Sequence, residues 1–244
     1  MRIGIFSDVH ANIEALSAVV DAYRTADVDR FVCLGDVVGY GANPNECCAL
    51  VREVAEETLL GNHDAAVAGR MDYSYYYEAA RQALTWHASI LDPSHMEWLR
   101  ARPYTYSLED VGFCHGSPLE PPEYEYVFSV DQAETLSPLR EHMPLVTFIG
   151  HSHLCKVFAL DERGRAEELH GKELTLEPDR KHIISVGSVG QPRDYDHRAC
   201  YTIYDTATRR FEFRRAAYAV EDTALKIFDA DLSLNFGKRL FFGV

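Results

Sequence analysis

No stretch of the 244-residue chain approaches the roughly 20 consecutive apolar residues that a membrane-spanning helix needs. Nor does the N-terminus offer a charged segment, an apolar core and a cleavage site, because a strand-like run occupies residues 2–7 directly. A cytoplasmic protein with no membrane partner is therefore expected. Cysteine pairs of the C-x-x-C kind are also missing. The six cysteines, Cys33, Cys47, Cys48, Cys114, Cys155 and Cys200, mostly sit inside apolar runs, which argues for small buried hydrophobes and against a disulfide framework. Positive charge is scarce. Lys and Arg number 24 against 38 Asp and Glu, a net charge of −14, and basic groups such as Arg209, Arg210, Arg214 and Arg215 are interrupted. Gripping duplex nucleic acid through its phosphates needs a basic patch, so that function class is disfavoured. A small phosphorylated substrate needs only a local positive site, which bound metal ions can supply. There is no low-complexity linker and no internal repeat. With 47% apolar residues the chain can bury a sizeable core, and residues 1–244 read as a single domain.

What is there is a recurring pattern of a short apolar run followed by polar residues. Residues 2–7 precede Asp8 and His10. Residues 30–34 precede Gly35 and Asp36. Residues 58–60 precede Gly61, Asn62, His63 and Asp64. Residues 111–114 precede His115 and Gly116, and residues 145–149 precede Gly150, His151, Ser152 and His153. Each run is bounded as a buried strand should be. Ile13, Leu16, Val19, Val20 and Tyr23 follow helical spacing behind Asn12 as N-cap, and Asn43-Pro44 starts a helix running toward residue 57. Strands alternating with helices predict an α/β fold with a largely parallel sheet, whose strand ends face one crevice and bring the five polar clusters together.

Residues 70–104 differ. They hold Tyr73, Tyr75, Tyr76 and Tyr77 and read as helical, with Ser94 and Glu97 as a capping box for a second helix. Two readings stand: a small helical cap beside the site, or an ordinary helical pair packed on the sheet edge. From residue 157 the chain turns β-rich. Residues 157–160 and 166–169 flank a turn at Gly164, residues 182–186, 199–204 and 210–215 are further strands, and residues 220–229 form a terminal helix. A second sheet packed on the first accounts for this half.

Carboxylate, imidazole and amide side chains together suit divalent Mn, Fe, Zn or Ni. Asp8 and His10 lie two apart, a spacing that His151 and His153 repeat, and Asp36 offers a carboxylate able to bridge. Two divalent ions, less the charges of Asp8, Asp36 and one hydroxide, leave about plus one, which favours an anionic phosphate. Ions roughly 3.5–4 Å apart can activate that hydroxide for in-line attack. Each cluster alone is weak; five together, each ending a strand-like run, are not a coincidence. His87, His95, His142, His170, His182 and His197 fall outside the pattern and are read as structural or exposed.

The ordered series Asp8-Val9-His10, Gly35-Asp36-Val37-Val38-Gly39, Gly61-Asn62-His63-Asp64, His115-Gly116 and Gly150-His151-Ser152-His153 resembles the calcineurin-like metallophosphoesterase superfamily. The stretch Gly187-Ser188-Val189-Gly190-Gln191-Pro192-Arg193-Asp194 is similar to its compact bacterial and archaeal phosphodiesterase branch. The resemblance implies a two-sheet β-sandwich flanked by helices, a four-layer α/β/β/α fold. It also implies one ion on Asp8, His10, Asp36 and His153, and another on Asp36, Asn62, His115 and His151. His63 would stand outside the metal shell as a protonated imidazole serving the leaving oxygen or the phosphate. Protein serine/threonine phosphatases and symmetrical diadenosine tetraphosphatases carry Asp-Arg where this chain has Gly39-Tyr40, and Glu where it has Asp64. That branch is disfavoured, and the usual carboxylate partner of His63 is missing.

Arg193 is the candidate protein contact to phosphate, weighed against a surface ion pair with Asp194 or Asp196. Gly187 and Gly190 are read as turn residues, and Asp64 as a group that orients a ligand histidine. The expected function is hydrolysis of small phosphate esters or nucleotides, foremost as a phosphodiesterase. A phosphomonoesterase, a dinucleoside polyphosphate hydrolase and an inactive metal-binding scaffold are the alternatives.

Overall fold

Alternation decides how the first strand sits. In β1 (Arg2–Phe6) Ile3 and Ile5 point to one face and Phe6 to the other, and all three are buried. Ile3 and Ile5 pack between two sheets, while Phe6 packs under α1 (Ile13–Arg24). That helix starts where Asn12 Oδ1 accepts the Ala15 N–H at 3.0 Å, as its sequence predicts. It buries Leu16, Val19, Val20 and Tyr23 and returns the chain so that β2 (Arg30–Cys33) runs parallel to β1. The helix α2 (Pro44–Val54) does the same for the short β3 (Glu57–Thr58), with Pro44 at its first turn.

The computed structural model describes the whole chain, Met1–Val244. Three helices follow β3: α3 (Asn62–Val67), α4 (Glu78–Ile90) and α5 (Pro93–Arg100). Then come β4 (Thr105–Leu108), β5 (Val111–Cys114), α6 (Val130–Glu134), β6 (Val146–Ile149), β7 (Cys155–Leu160), β8 (Ala166–Glu168), β9 (Glu173–Thr175) and β10 (Lys181–Val186). The chain ends with β11 (Ala199–Asp205), β12 (Arg210–Ala216), α7 (Val220–Asp229) and α8 (Leu234–Lys238).

Two six-stranded sheets result, ordered β3-β2-β1-β11-β12-β9 and β4-β5-β6-β10-β7-β8. Each is mixed. Parallel trios, β3-β2-β1 and β5-β6-β10, are flanked by antiparallel strands. The expectation of a largely parallel sheet is thus corrected, and so is that of a separate second sheet built from the later half. β11, β12 and β9 complete the first sheet, while β10, β7 and β8 join the earlier β5 and β6. Apolar period marks a strand but does not say which strand it pairs with. Ser94 does not cap α5 either: the helix begins at Pro93 behind Asp92, and Ser94 lies within it.

The sheets face each other across Ile3, Ile5, Val32, Phe113, Phe148 and Ile184, which are essentially inaccessible. Truncating one such Phe to Ala costs about 3–5 kcal/mol. Helices α1, α2, α4 and α5 cover the outer face of the first sheet, and α6 with its neighbouring turn covers the second through Ala133 and Leu136. The layers are α/β/β/α, as the resemblance implies. All six cysteines are free; five are buried and Cys155 is half-buried, its Sγ 3.2 Å from that of Cys200.

Candidate metal centre

Five strand ends converge at one edge of the sandwich. β1 delivers Asp8 and His10, β2 delivers Asp36, β3 leads to Asn62 and His63 at the start of α3, β5 delivers His115, and β6 delivers His151 and His153. All eight side chains are buried. Asp8, His10, Asp36, His151 and His153 have φ between +49° and +64°. Left-handed backbone is uncommon outside glycine, and its clustering marks turns held by their surroundings. Those surroundings include residues 187–191. The Val189 and Gly190 N–H groups donate to the carbonyls of Ser7 and Asp8, and Ser188 Oγ also reaches the Asp8 carbonyl. A Cβ at Gly190 would lie 1.9 Å from the Val9 carbonyl oxygen, so this glycine serves close backbone approach, beyond the turn role expected of it.

The polar atoms form overlapping groups. Asp8, His10 and His153 make one, Asp36, His115 and His151 another, and His10, Asp36 and His63 a third. His10 Nε2 lies 3.1 Å from His153 Nε2 and 3.8 Å from Asp8 Oδ1. Asp36 Oδ2 lies 3.7 Å from His10 Nε2 and 3.4 Å from His115 Nε2, and Asn62 Oδ1 lies 3.2 Å from His115 Nε2. Every predicted ligand is thus brought together. His63 sits among them, so proximity alone does not set it apart.

The imidazoles are oriented from behind. Nδ1 of His10, His115 and His153 meets the carbonyl oxygens of Val38, Leu34 and Gln191 at 3.0, 2.9 and 2.6 Å. A ring that donates from Nδ1 keeps a lone pair on Nε2, the tautomer a metal ligand needs. Asp64 does not orient any of them, which corrects the sequence reading. It accepts the N–H groups of Val38 and Gly61 and so ties two site loops together.

The charges fit bound cations. Burial pulls the pKa values of His10 and His153 below the ordinary imidazole range, and that of His151 to about 3. Neutral imidazole is the ligand form. Burial also opposes ionisation of Asp8 and Asp36, yet His153 beside Asp8 and His115 beside Asp36 hold both carboxyls below their usual range. His115 is the exception: Asp36 outweighs burial and pushes it up to about 9, so this ring would release a proton on taking an ion. Asp8 Oδ1 is buried with no hydrogen-bond partner. An orphaned carboxylate oxygen facing Nε2 lone pairs fits divalent metal, which would satisfy them together.

His63 departs from expectation. Burial, aided by His153 and Arg193, brings its pKa to about 4, so from protein charges alone it is neutral at pH 7 and not the protonated imidazole foreseen. Its Nδ1 has no partner, and its ring lies between Tyr40, 4.5 Å between centroids, and Tyr76, 5.9 Å. Arg193 makes neither of the ion pairs weighed against it, since Asp194 pairs with Arg215 and Asp196 with Arg198 and Arg215.

A cavity of about 440 Å³ opens on Asn62, His63 and His151, walled by Tyr40, Tyr76 and Tyr126. Tyr76 Oη accepts from Asn62 Nδ2 at 2.6 Å, and Tyr126 stacks on His151 at 4.0 Å. The segment before α4 therefore lines the site, while α4 and α5 pack into the core through Leu84 and Leu99. Sequence reasoning missed Tyr124 and Tyr126, which line this cavity but lie in no motif. His87, read as structural, accepts the Gly39 N–H at 2.9 Å and donates to the Gly41 carbonyl at 2.8 Å, fixing the loop under His63.

The sequence model of the calcineurin-like phosphoesterase superfamily domain matches residues 1–209. An uncharacterized protein of Methanocaldococcus jannaschii is 34% identical over 247 residues, covering 99% of this chain and 98% of that one. The crystal structure of a metallophosphoesterase from Sphaerobacter thermophilus is similar with a TM-score of 0.85 and 35% identity, covering 100% of this chain and 99% of the other. A hypothetical protein from Pyrococcus horikoshii shares the fold, with a TM-score of 0.77, 16% identity and coverage of 100% and 98%.

Proposed function

The chain belongs to the calcineurin-like phosphoesterase superfamily, and from that premise we propose that it is a two-metal hydrolase of small phosphate esters, foremost diesters. The observation that carries this reading is the position of Asp36. Its Oδ2 faces both His10 Nε2 and His115 Nε2, so one carboxylate serves both halves of the centre. Asp8, His10, Asp36 and His153 would hold one ion, and Asp36, Asn62, His115 and His151 the other. When bound, such ions supply positive charge for the phosphoryl oxygens and an activated water-derived nucleophile. Manganese, iron, zinc and nickel all suit this donor set.

The remaining work belongs to the chain. Asp36 Oδ1 accepts the backbone N–H of His63 at 2.8 Å, which ties the start of α3 to the bridging carboxylate. A phosphate dianion or monoanion entering beside neutral His63 raises its proton affinity, so that the ring takes up a proton from solvent water, passes it to the leaving oxygen and returns to the neutral form. Arg193 pairs with a non-bridging phosphate oxygen. Tyr40, Tyr76 and Tyr126 exclude bulk water and strengthen these charges.

The test is Asp36→Asn, assayed for metal content and for hydrolysis of aryl monoesters, aryl diesters, cyclic nucleotides and dinucleoside polyphosphates. Metal and turnover should fall together; full turnover with both ions retained would sink the assignment. His63→Ala should keep its metal and slow the chemical step on the order of 10²–10⁴-fold. An unchanged rate removes the acid role.

A further inference from the structure

Beside the centre lies a second cavity, of about 630 Å³, and its charge is unlike the rest of the molecule. Arg193, Lys238 and Arg239 line it with Tyr40, Tyr77 and Phe242; no Asp or Glu side chain borders it, and the one acidic group among its residues is the terminal carboxylate of Val244, which makes no ion pair with any of the three. The chain carries 38 acidic residues, and ion pairs are common elsewhere on it, yet none of these three cations pairs with a carboxylate. Three cations without a contacting carboxylate repel one another, and an anion entering the cavity would relieve that repulsion.

Arg239 is built into place. Its guanidinium lies 4.6 Å over the Tyr40 ring and 5.2 Å over that of Phe236, and its Nε donates to Gln191 Oε1. The Gln191 carbonyl in turn faces His153 Nδ1. The Tyr40 ring also meets His10 and His63, with centroids 4.6 and 4.5 Å away. The Arg239 guanidinium and the His63 imidazole therefore pack on the same aromatic ring. Arg239 Nη2 is buried without an acceptor, which leaves a charged donor unsatisfied beside the cavity. A planar guanidinium fork held by stacking is suited to phosphate oxygens.

We propose that Arg239 and Lys238, with Arg193 between them and the metal centre, form a second anion subsite that takes a phosphoryl group set apart from the one being cleaved. The substrate class is then a phosphate ester carrying a second phosphate, with its flat or sugar-like body along Tyr77 and Phe242. This rests on the two-metal hydrolase reading for the scissile group only. Both cations come from residues 238–239, beyond residues 1–209 that match the superfamily model, so the preference would rest on the C-terminal segment.

The experiment is calorimetric titration of the full chain as purified, with adenosine 3′,5′-bisphosphate and, in parallel, adenosine 5′-monophosphate. The bisphosphate should bind at least tenfold more tightly. Lys238→Met, at an exposed position, should reduce that ratio about threefold, and Arg239→Met should bring it close to one. Should Arg239→Met fail to fold, Lys238→Met together with added salt reads the same ratio. Equal affinities in the unaltered protein, or an unchanged ratio in Lys238→Met, overturns the proposal. Binding is read without turnover, so failure to hydrolyse any ester would sink the hydrolase reading and leave this result standing.

Discussion

Gly39 and His63 occupy space that cannot be shared with one more carbon atom: a Cβ at position 39 would fall 2.3 Å from His63 Nδ1. The backbone at Gly39 also has φ of +97°, which side-chain-bearing residues rarely adopt. Both facts predict the effect of Gly39→Ala. The backbone strain costs on the order of 1–3 kcal/mol, and the imidazole must move to clear the methyl group. A displacement of about 1 Å can cost on the order of 100-fold in rate. Turnover should drop on that scale with metal content unchanged, measured on the best ester of the panel beside elemental analysis. Wild-type turnover in Gly39→Ala would show that His63 position is not critical.

His87 predicts a pH effect. Its Nδ1 accepts the Gly39 N–H, and burial lowers its pKa to about 4. The folded protein therefore disfavours the charged ring, whereas the unfolded chain takes up the proton near pH 6.5. Unfolding then binds a proton between those values. The contribution is fully present above about pH 6.5 and is lost as pH falls toward 4, at most about 3 kcal/mol. Urea unfolding of the native protein and of His87→Gln at pH 7.5 and 4.5 measures it. The stability gap between the two should shrink in acid; a gap independent of pH would contradict the assignment.

Asp64 joins the loops that carry Asp36 and Asn62 by accepting the N–H groups of Val38 and Gly61 at 3.1 and 3.2 Å. Burial, with Asp36 nearby, pushes its carboxyl above the usual range. Asp64→Ala leaves two buried donors unmatched and should destabilise by about 2–5 kcal/mol; Asp64→Asn keeps one acceptor and should cost about 1–3 kcal/mol. Chemical denaturation in chelator isolates this from metal binding. Equal stability of both variants and the native chain would rule out the loop-tying role.

Metal removal should lower the melting temperature. An ion that binds only the folded chain, at 100 times its Kd, stabilises by about 2.7 kcal/mol. For a chain of this size that is roughly 5–10 °C per ion. Calorimetry with chelator, followed by Mn addition, should show loss and recovery. A melting temperature indifferent to chelator would contradict two ions held by Asp8, Asp36 and their histidines.

The sequence by itself determined the strand-end clusters, because ligand identity and spacing are local facts. Asp8-Val9-His10 and His151-Ser152-His153 can be read along one short run each, as can Asn12 capping α1. The side chains of Asp8, His10, Asp36, His115, His151 and His153 lie together in the fold, with Asn62 beside His115.

Only the tertiary structure decided the rest, since it depends on groups far apart in the chain. Strand pairing placed β11 against β1 and β10 against β6, which apolar alternation cannot specify. Burial draws the His63 pKa down to about 4, and the protonation of an imidazole depends on what surrounds it. The same holds for His87, a residue in no motif until α4 carries it beneath Gly39. Arg239 is likewise one more basic residue in the sequence. Packing on Tyr40, 199 positions earlier, places it beside the centre.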